Sequence, residues 1–179
     1  MSWLQLIDSR IFTVAAGSAL IAFAASARAE DTASCKSFAW PVDADRTAFE
    51  SPKLESVGTG AARGPWKEQA FMLKLAPQES VNFARRSCGR YHAKGKFFGG
   101  TVSFDPPEQA GRYYVTLSSD GWIDVVRNGA GIRSDAHTGA KECPGLRKSV
   151  RFPVGSFPIV LQLSGVTTDT IKVGIRPAQ

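Results

Sequence analysis

From Phe71 onward the chain is written in short runs in which apolar and polar residues alternate, and Gly, Pro, Asn or Asp closes almost every run. Period-two alternation sends successive side chains to opposite faces, which is a half-buried strand and is incompatible with the 3.6-residue period of a helix. Phe71, Leu73 and Leu75 alternate with Met72 and Lys74 and stop at Pro77. Phe97 to Phe104 is bent at Gly99-Gly100 and stopped by Pro106-Pro107. Tyr113, Val115 and Leu117 follow, then Trp122 to Val126, then Arg147 to Phe152. Ile159, Leu161 and Leu163 and finally Ile171, Val173 and Ile175 complete the series. Asp120-Gly121 and Asn128-Gly129 predict hairpin turns, because type I′ turns need positive φ at both central positions. About seven short strands with almost no helix predict an antiparallel β-sandwich, a jelly-roll or partly closed barrel being the alternative.

Two runs echo each other. Tyr114 to Ser118 leads through a turn to Ile123-Asp124-Val125, and Val160 to Gly165 leads to Ile171-Lys172-Val173. Two hairpins of one sandwich are expected to share that pattern. Ahead of the strands, Pro41 suits the start of a short helix over Val42 to Glu50. Residues 51–68 hold Pro52, Gly58, Gly60, Gly64 and Pro65 without a period and predict a loop.

Residues 11–27 are apolar, preceded by Arg10 and followed by Ala27-Arg28-Ala29, with small residues where a signal peptidase reads. Residues 1–29 are therefore expected to be a signal peptide, and cleavage leaves a single β-sandwich domain over residues 30–179. An uncleaved anchor needs ~20 apolar residues, so no stable membrane insertion is expected after cleavage. Export places Cys35, Cys88 and Cys143 in an oxidising, periplasmic compartment. Three thiols allow one bridge. Cys143 lies in a Cys-Pro-Gly turn and Cys35 near a loose N-terminus, so the expected pair is Cys35 with Cys143. Cys88 is left as an incidental loop cysteine or a reactive thiol.

The residue inventory excludes several chemistries. The chain has two histidines, His92 and His137, and neither belongs to a His-x-Glu, His-x-Asp or His-Glu-x-x-His motif. Ser134, Asp135 and His137 crowd one stretch, but a triad is assembled across a fold and adjacency does not make one. No Gly-x-Ser-x-Gly elbow and no phosphate-binding glycine loop is present. Asp120 and Asp124 stand four residues apart, roughly 13 Å along a strand, against the 5–9.5 Å of about every paired-carboxylate glycosidase. No catalytic residue, metal ligand or cofactor is assigned.

Charge is the distinctive feature that remains. Lys and Arg number 22 against 16 Asp and Glu, a formal charge of +6. The excess gathers at Arg85, Arg86, Arg90, His92, Lys94 and Lys96, with a second group at Arg147, Lys148 and Arg151. Such a surface suits an anionic envelope component or an acidic protein. The competing reading is solvated charge that keeps sheet edges from aggregating. Nucleic acid is not an expected partner, because no stacking platform or recognition motif accompanies the charge. Among the aromatics, Trp40 and Trp122 are expected in the core and Trp66, set among Gly and Pro, is expected exposed. The candidate binding residues are Arg85, Arg86, Arg90, Lys94, Lys96 and Trp66.

Cys35-Lys36-Ser37-Phe38-Ala39-Trp40-Pro41 occurs together with Ala110-Gly111-Arg112-Tyr113, Gly121-Trp122-Ile123-Asp124-Val125 and Cys143-Pro144-Gly145. Arg147 to Phe152 and Leu161-Gln162-Leu163-Ser164-Gly165 extend the set. In these stretches the chain resembles a family of small exported alphaproteobacterial proteins of unknown function, some labelled homogentisate 1,2-dioxygenase. The hairpin pattern also looks like that of bacterial pre-peptidase C-terminal sandwiches. Three functions follow as expectations. The first is an exported periplasmic, non-enzymatic binding or scaffolding protein with a basic, anion-facing surface. The others are a carbohydrate-binding module using exposed aromatics and the metal-dependent dioxygenase that the label implies.

Overall fold

The computed structural model describes residues 35–86 and 96–178. The expected signal peptide, Cys88, Arg90, His92 and Lys94 lie outside the described residues. Among the described residues a single α-helix, α1 (Asp43–Glu50), precedes twelve strands. These are β1 (Glu55–Gly58), β2 (Ala61–Pro65), β3 (Gln69–Lys74), β4 (Ala76–Pro77), β5 (Phe98–Asp105) and β6 (Gly111–Leu117). They continue as β7 (Trp122–Arg127), β8 (Ala130–Ile132), β9 (Ala136–Gly139), β10 (Lys148–Val154), β11 (Ile159–Val166) and β12 (Thr170–Pro177).

The strands form two packed sheets. The first has the order β1-β3-β12-β6-β10-β9; the second runs β2-β5-β11-β7-β8, with β4 paired to β5. The alternation that predicts strands also fills the space between the sheets. Phe71, Leu73, Val115, Leu117, Val150, Phe152, Val173 and Ile175 point in from the first sheet, and Val102, Phe104, Ile123, Val125, Ile159, Leu161 and Leu163 from the second. Val115 sits opposite both Val150 and Ile175, and Leu161 opposite both Val102 and Val125, so each layer of the core is three strands deep. Each such side chain fully withdrawn from water contributes about 1.5–3 kcal/mol before the entropy of ordering is counted.

The all-β sandwich is as expected, but its edges are not. Residues 51–68 are not a loop: they hold β1 and β2, which pair in parallel with β3 and β5 and make both sheets mixed. An edge strand with one neighbour buries little, and in β1 only Val57 is buried, so no apolar alternation marks it. Asn128-Gly129 forms the expected hairpin turn between β7 and β8, with φ of 48° and 76°. Asp120-Gly121 does not. It carries the chain from β6 in the first sheet to β7 in the second, and the glycine sits at a close approach, a Cβ there standing 3.0 Å from Val166 Cγ2. The chain likewise crosses between sheets from β11 to β12. The two echoed segments are therefore arches, not hairpins. They pair with each other, Leu117 lying opposite Val173 in one sheet and Ile123 opposite Leu163 in the other.

Two tryptophans exchange their expected places. Trp66 is fully buried, edge-on to Phe104 at 5.0 Å and to Tyr113 at 6.3 Å, because β2 carries it to the core as its neighbours Gly64 and Pro65 complete the strand. It cannot be a binding platform. Trp122 is 39% exposed on the outside of the second sheet.

A second, smaller core covers the outer face of the first sheet. Phe38, Val42 and Phe49 from the N-terminal segment and α1 pack with Ala140 and Leu146, and the Cys35–Cys143 disulfide closes the layer. Trp40, half-buried, stacks on Tyr114 at 4.6 Å and donates its indole N–H to Ser149 Oγ at 3.0 Å. Arg176 donates to Asp45 Oδ2 at 2.9 Å and to the Pro41 carbonyl, with its guanidinium 4.6 Å from the Tyr114 ring centroid. Burial raises the Asp45 carboxyl above its usual range, and the Arg176 hydrogen bond only partly offsets this. Gly174 makes the contact sterically feasible, since a Cβ there would lie 2.7 Å from Asp45 Oδ1.

Candidate functional site

The first sheet has its outer face covered by the helix layer, so the outer face of the second sheet is the place to look for a site. Ala76 and Pro77 pair with Gly99 and Phe98, and the Gln78 N–H donates to the Phe97 carbonyl at 2.9 Å. The connection between these strands is longer than the ~12–15 residues beyond which an irregular loop is usually functional or a linker. Its described part is fastened to the sheet.

Two glutamines do the fastening. Gln78 Oε1 accepts the Gly165 N–H at 2.6 Å, at the point where the β11 ladder shifts register and Gly165 takes φ of +69°. The Gln162 side chain pairs with the Arg85 peptide in both directions, accepting its N–H at 3.3 Å and donating to its carbonyl at 3.0 Å. A buried amide that satisfies both backbone groups acts as one more rung of the ladder. Gln162 is 1% exposed although it points away from the core between Leu161 and Leu163. Glycines make room for this segment: a Cβ on Gly99 would meet the Phe83 ring at 2.8 Å, and one on Gly131 would meet Arg85 Nη1 at 1.7 Å.

Arg85 thus lies across β8, half-buried, while Arg86 and Lys96 are exposed. Of the expected basic run, Arg85 is held on the second sheet, Arg86 follows it and Lys96 shortly precedes β5, and Arg90 and Lys94 lie outside the described residues. The second basic group does not form a comparable face. Arg151 and Arg112 both donate to Asp135 at 2.8 Å, and Arg147 donates to the Ala140 carbonyl at 3.1 Å. The two guanidiniums hold the Asp135 carboxyl below the usual carboxylate range, Arg151 contributing most. Asp135 is thereby a positioning group for two arginines.

The same face continues to Trp122. The indole N–H donates to Asp124 Oδ1 at 3.2 Å, and Asp124 Oδ2 accepts from Gln162 Nε2 at 3.4 Å. Lys148 reaches across from β10, donating to the Gly121 carbonyl at 3.1 Å with its ammonium 5.2 Å from the Trp122 ring centroid. A cleft of about 30 Å³ beside the ring is lined by Asp120, Gly121, Trp122, Ser164 and Gly165. The result is one connected surface: Arg85, Gln162, Asp124, Trp122, Lys148. Trp122 is the large hydrophobic side chain exposed among the described residues.

Two other features fit less well. A cleft of about 380 Å³ near the N-terminus is lined wholly by residues between Cys35 and Arg46, directly after residues that are not described. No group of three or more His, Cys, Asp or Glu side chains able to hold a metal converges among the described residues. The iron that a dioxygenase would require finds no ligand set there; His137 sits exposed on edge strand β9. No helix among the described residues is long and apolar enough to cross a membrane.

Gln78, Gln162, Asp124 and Trp122 escaped the sequence reading as site residues. A glutamine at an outward strand position reads as solvated, and only the loop lying over it gives it a partner. Comparison with family models, with curated proteins and with solved structures finds no match for the chain.

Proposed function

We propose that this chain is an exported, periplasmic, non-enzymatic binding protein that presents the outer face of its second sheet to an anionic polymer of the envelope. The observation that carries the reading is the fastening of the β4–β5 connection. Gln78 and Gln162 hold the described start of this connection against the sheet and so fix where the Arg85 backbone stands. Positive charge on an organised face raises the local concentration of an anionic partner and speeds encounter. The Cys35–Cys143 bridge fits an oxidising compartment.

The test compares two double variants of equal charge change on isolated envelope fractions. Arg86→Glu/Lys96→Glu alters the proposed face; Lys53→Glu/Lys141→Glu alters exposed positions of the layer over the first sheet. Retention of the wild type is expected to fall as salt rises from about 50 to about 500 mM, through the range where screening shortens the Debye length. The first variant is expected to lose retention and its salt dependence, and the second to keep both. Equal retention of the two variants would overturn the proposal.

A further inference from the structure

Resting on the export in that reading, and not on what the second sheet binds, we infer that this chain reaches its Cys35–Cys143 bridge through a transient Cys35–Cys88 bridge, and that a thiol–disulfide isomerase of the same compartment is the partner that resolves it. The native bridge skips a cysteine. Cys88 stands 53 positions after Cys35 and 55 before Cys143, whereas the bonded pair is 108 apart. In an unfolded chain the cost of closing a loop grows with the logarithm of its length, so each shorter bridge forms about 2.8 times as readily as the long one. Roughly one first bridge in seven is then Cys35–Cys143.

The topology delays folding until well after Cys88 has emerged. β12 lies between β3 and β6 in the first sheet, and β11 lies between β5 and β7 in the second. These two strands, residues 159–177, follow the other described strands in the sequence, so a chain emerging N-terminus first cannot join the halves of either sheet until they arrive. The contacts that bring Cys35 to Cys143 form as late. The Ala39 N–H donates to Thr138 Oγ1 at 2.9 Å, Lys172 Nζ donates to the Phe49 carbonyl at 2.6 Å, and Arg176 holds Asp45. Until then the nearest thiol to Cys35 along the chain is Cys88, in a compartment that oxidises thiols. In the finished layer Cys35 and Cys143 are each 6% exposed, so attack on their sulfurs has to precede its closure.

The steps balance. A disulfide oxidant takes two electrons from Cys35 and Cys88, which join, and leaves as two thiols when its own S–S bond breaks. The isomerase thiolate attacks Cys35 Sγ, forming a mixed disulfide and releasing Cys88, which takes up a proton. The Cys143 thiolate then attacks the same sulfur, forming Cys35–Cys143 and regenerating the isomerase thiolate, with no net oxidation in the exchange.

The experiment is a pulse-chase of the full chain in bacterial cells with and without their periplasmic disulfide isomerase, for the wild type, Cys88→Ala and Cys143→Ala. Acid quenching, alkylation of free thiols and peptide mass assign the bridges at each time. In the wild type Cys35–Cys88 is expected first and Cys35–Cys143 after it, the second at least about tenfold slower without the isomerase, toward the hours end of uncatalysed reshuffling. Cys88→Ala is expected to form Cys35–Cys143 directly, at a rate indifferent to the isomerase, and Cys143→Ala to stop at Cys35–Cys88. Cys35–Cys143 as the first bridge of the wild type, or a wild-type rate that the isomerase does not change, would overturn the inference. Both outcomes are read on the wild type, so they decide even where a variant fails to fold. An unprocessed chain with all its thiols reduced would overturn the export on which the inference rests.

Discussion

Removal of the Cys35–Cys143 bridge is expected to be the largest single loss of stability available outside the main core. The two residues are separated by 108 positions. In the chain-entropy relation a loop of that length restricts the unfolded chain by about 16 cal/mol/K, or about 4.8 kcal/mol at 25 °C. Cys35→Ala/Cys143→Ala leaves the native layer partly anchored, because Trp40 still bonds Ser149 and Arg176 still holds Asp45. The strap therefore stays docked, and the loss falls on the equilibrium with the unfolded state. For a domain of this size the shift in Tm is about 2–4 °C per kcal/mol, so a fall of roughly 10–19 °C is expected. Urea denaturation should show a lower midpoint, a somewhat larger m-value because the unfolded chain without the cross-link exposes more surface, and a single transition. A loss below about 1 kcal/mol, or an early separate transition of Trp40 fluorescence with the sheets intact, would refute the reasoning. Either result would mean that the strap leaves the sheet before the core unfolds.

Trp66→Ala is expected to cost about 3–5 kcal/mol in chemical denaturation, and Trp66→Phe much less, since the buried indole N–H has no hydrogen-bond partner to lose among the described residues. Gly174→Ala should cost about 1–3 kcal/mol by overpacking against Asp45 and Phe49, with faster hydrogen exchange in α1 as the specific sign. Gln162→Leu strips the Arg85 peptide of both partners and should raise hydrogen exchange at Arg85 while leaving β11 amides protected. The two perturbed aspartates carry opposite pH signs. Asp135 is lowered, so its contribution is present above the unfolded value near 3.8 and is lost as pH falls through the folded value; Asp135→Asn should flatten that acid limb. Asp45 is raised, so its contribution is present below the unfolded value and is lost as pH rises through the folded value. Stability of the wild type relative to Asp45→Asn should therefore decline between about pH 4 and neutrality; a rise over that interval in denaturation curves would contradict the assignment.

The strands that bury one full face were legible from alternation alone, as Tyr113-Val115-Leu117 and Ile159-Leu161-Leu163 demonstrate. Edge strands β1 and β2 were not, because a strand with one neighbour and little burial has no pattern to impose. The Asn128-Gly129 hairpin was readable from its own backbone demand for positive φ. Asp120-Gly121 offers the same residue types, but its glycine serves a steric contact with another strand, which no local window contains. The disulfide was legible because three cysteines leave few choices. The exposure of Trp66 and Trp122 was inverted, since flanking Gly and Pro report local turning and not which side of a sheet the ring takes. Of the candidate site, the basic run was visible as charge, while its fastening by Gln78 and Gln162 was not.

What the sequence determined by itself was the set of strands that bury a full face, the small choice of cysteine pairings and a basic segment between two of those strands. Each follows from period, composition or a small number of combinations, all of which are local or countable. Only the tertiary structure decided which faces are covered. The arches send β6 and β7 to opposite sheets, α1 occupies the outside of the first sheet, and the segment that follows β4 docks on the second through Arg85. Those outcomes depend on contacts between residues far apart in the chain, Gln162 with Arg85 and Lys148 with Trp122 among them. No single segment carries that information, because the same glutamine, lysine or tryptophan is solvent-facing or buried according to what folds over it.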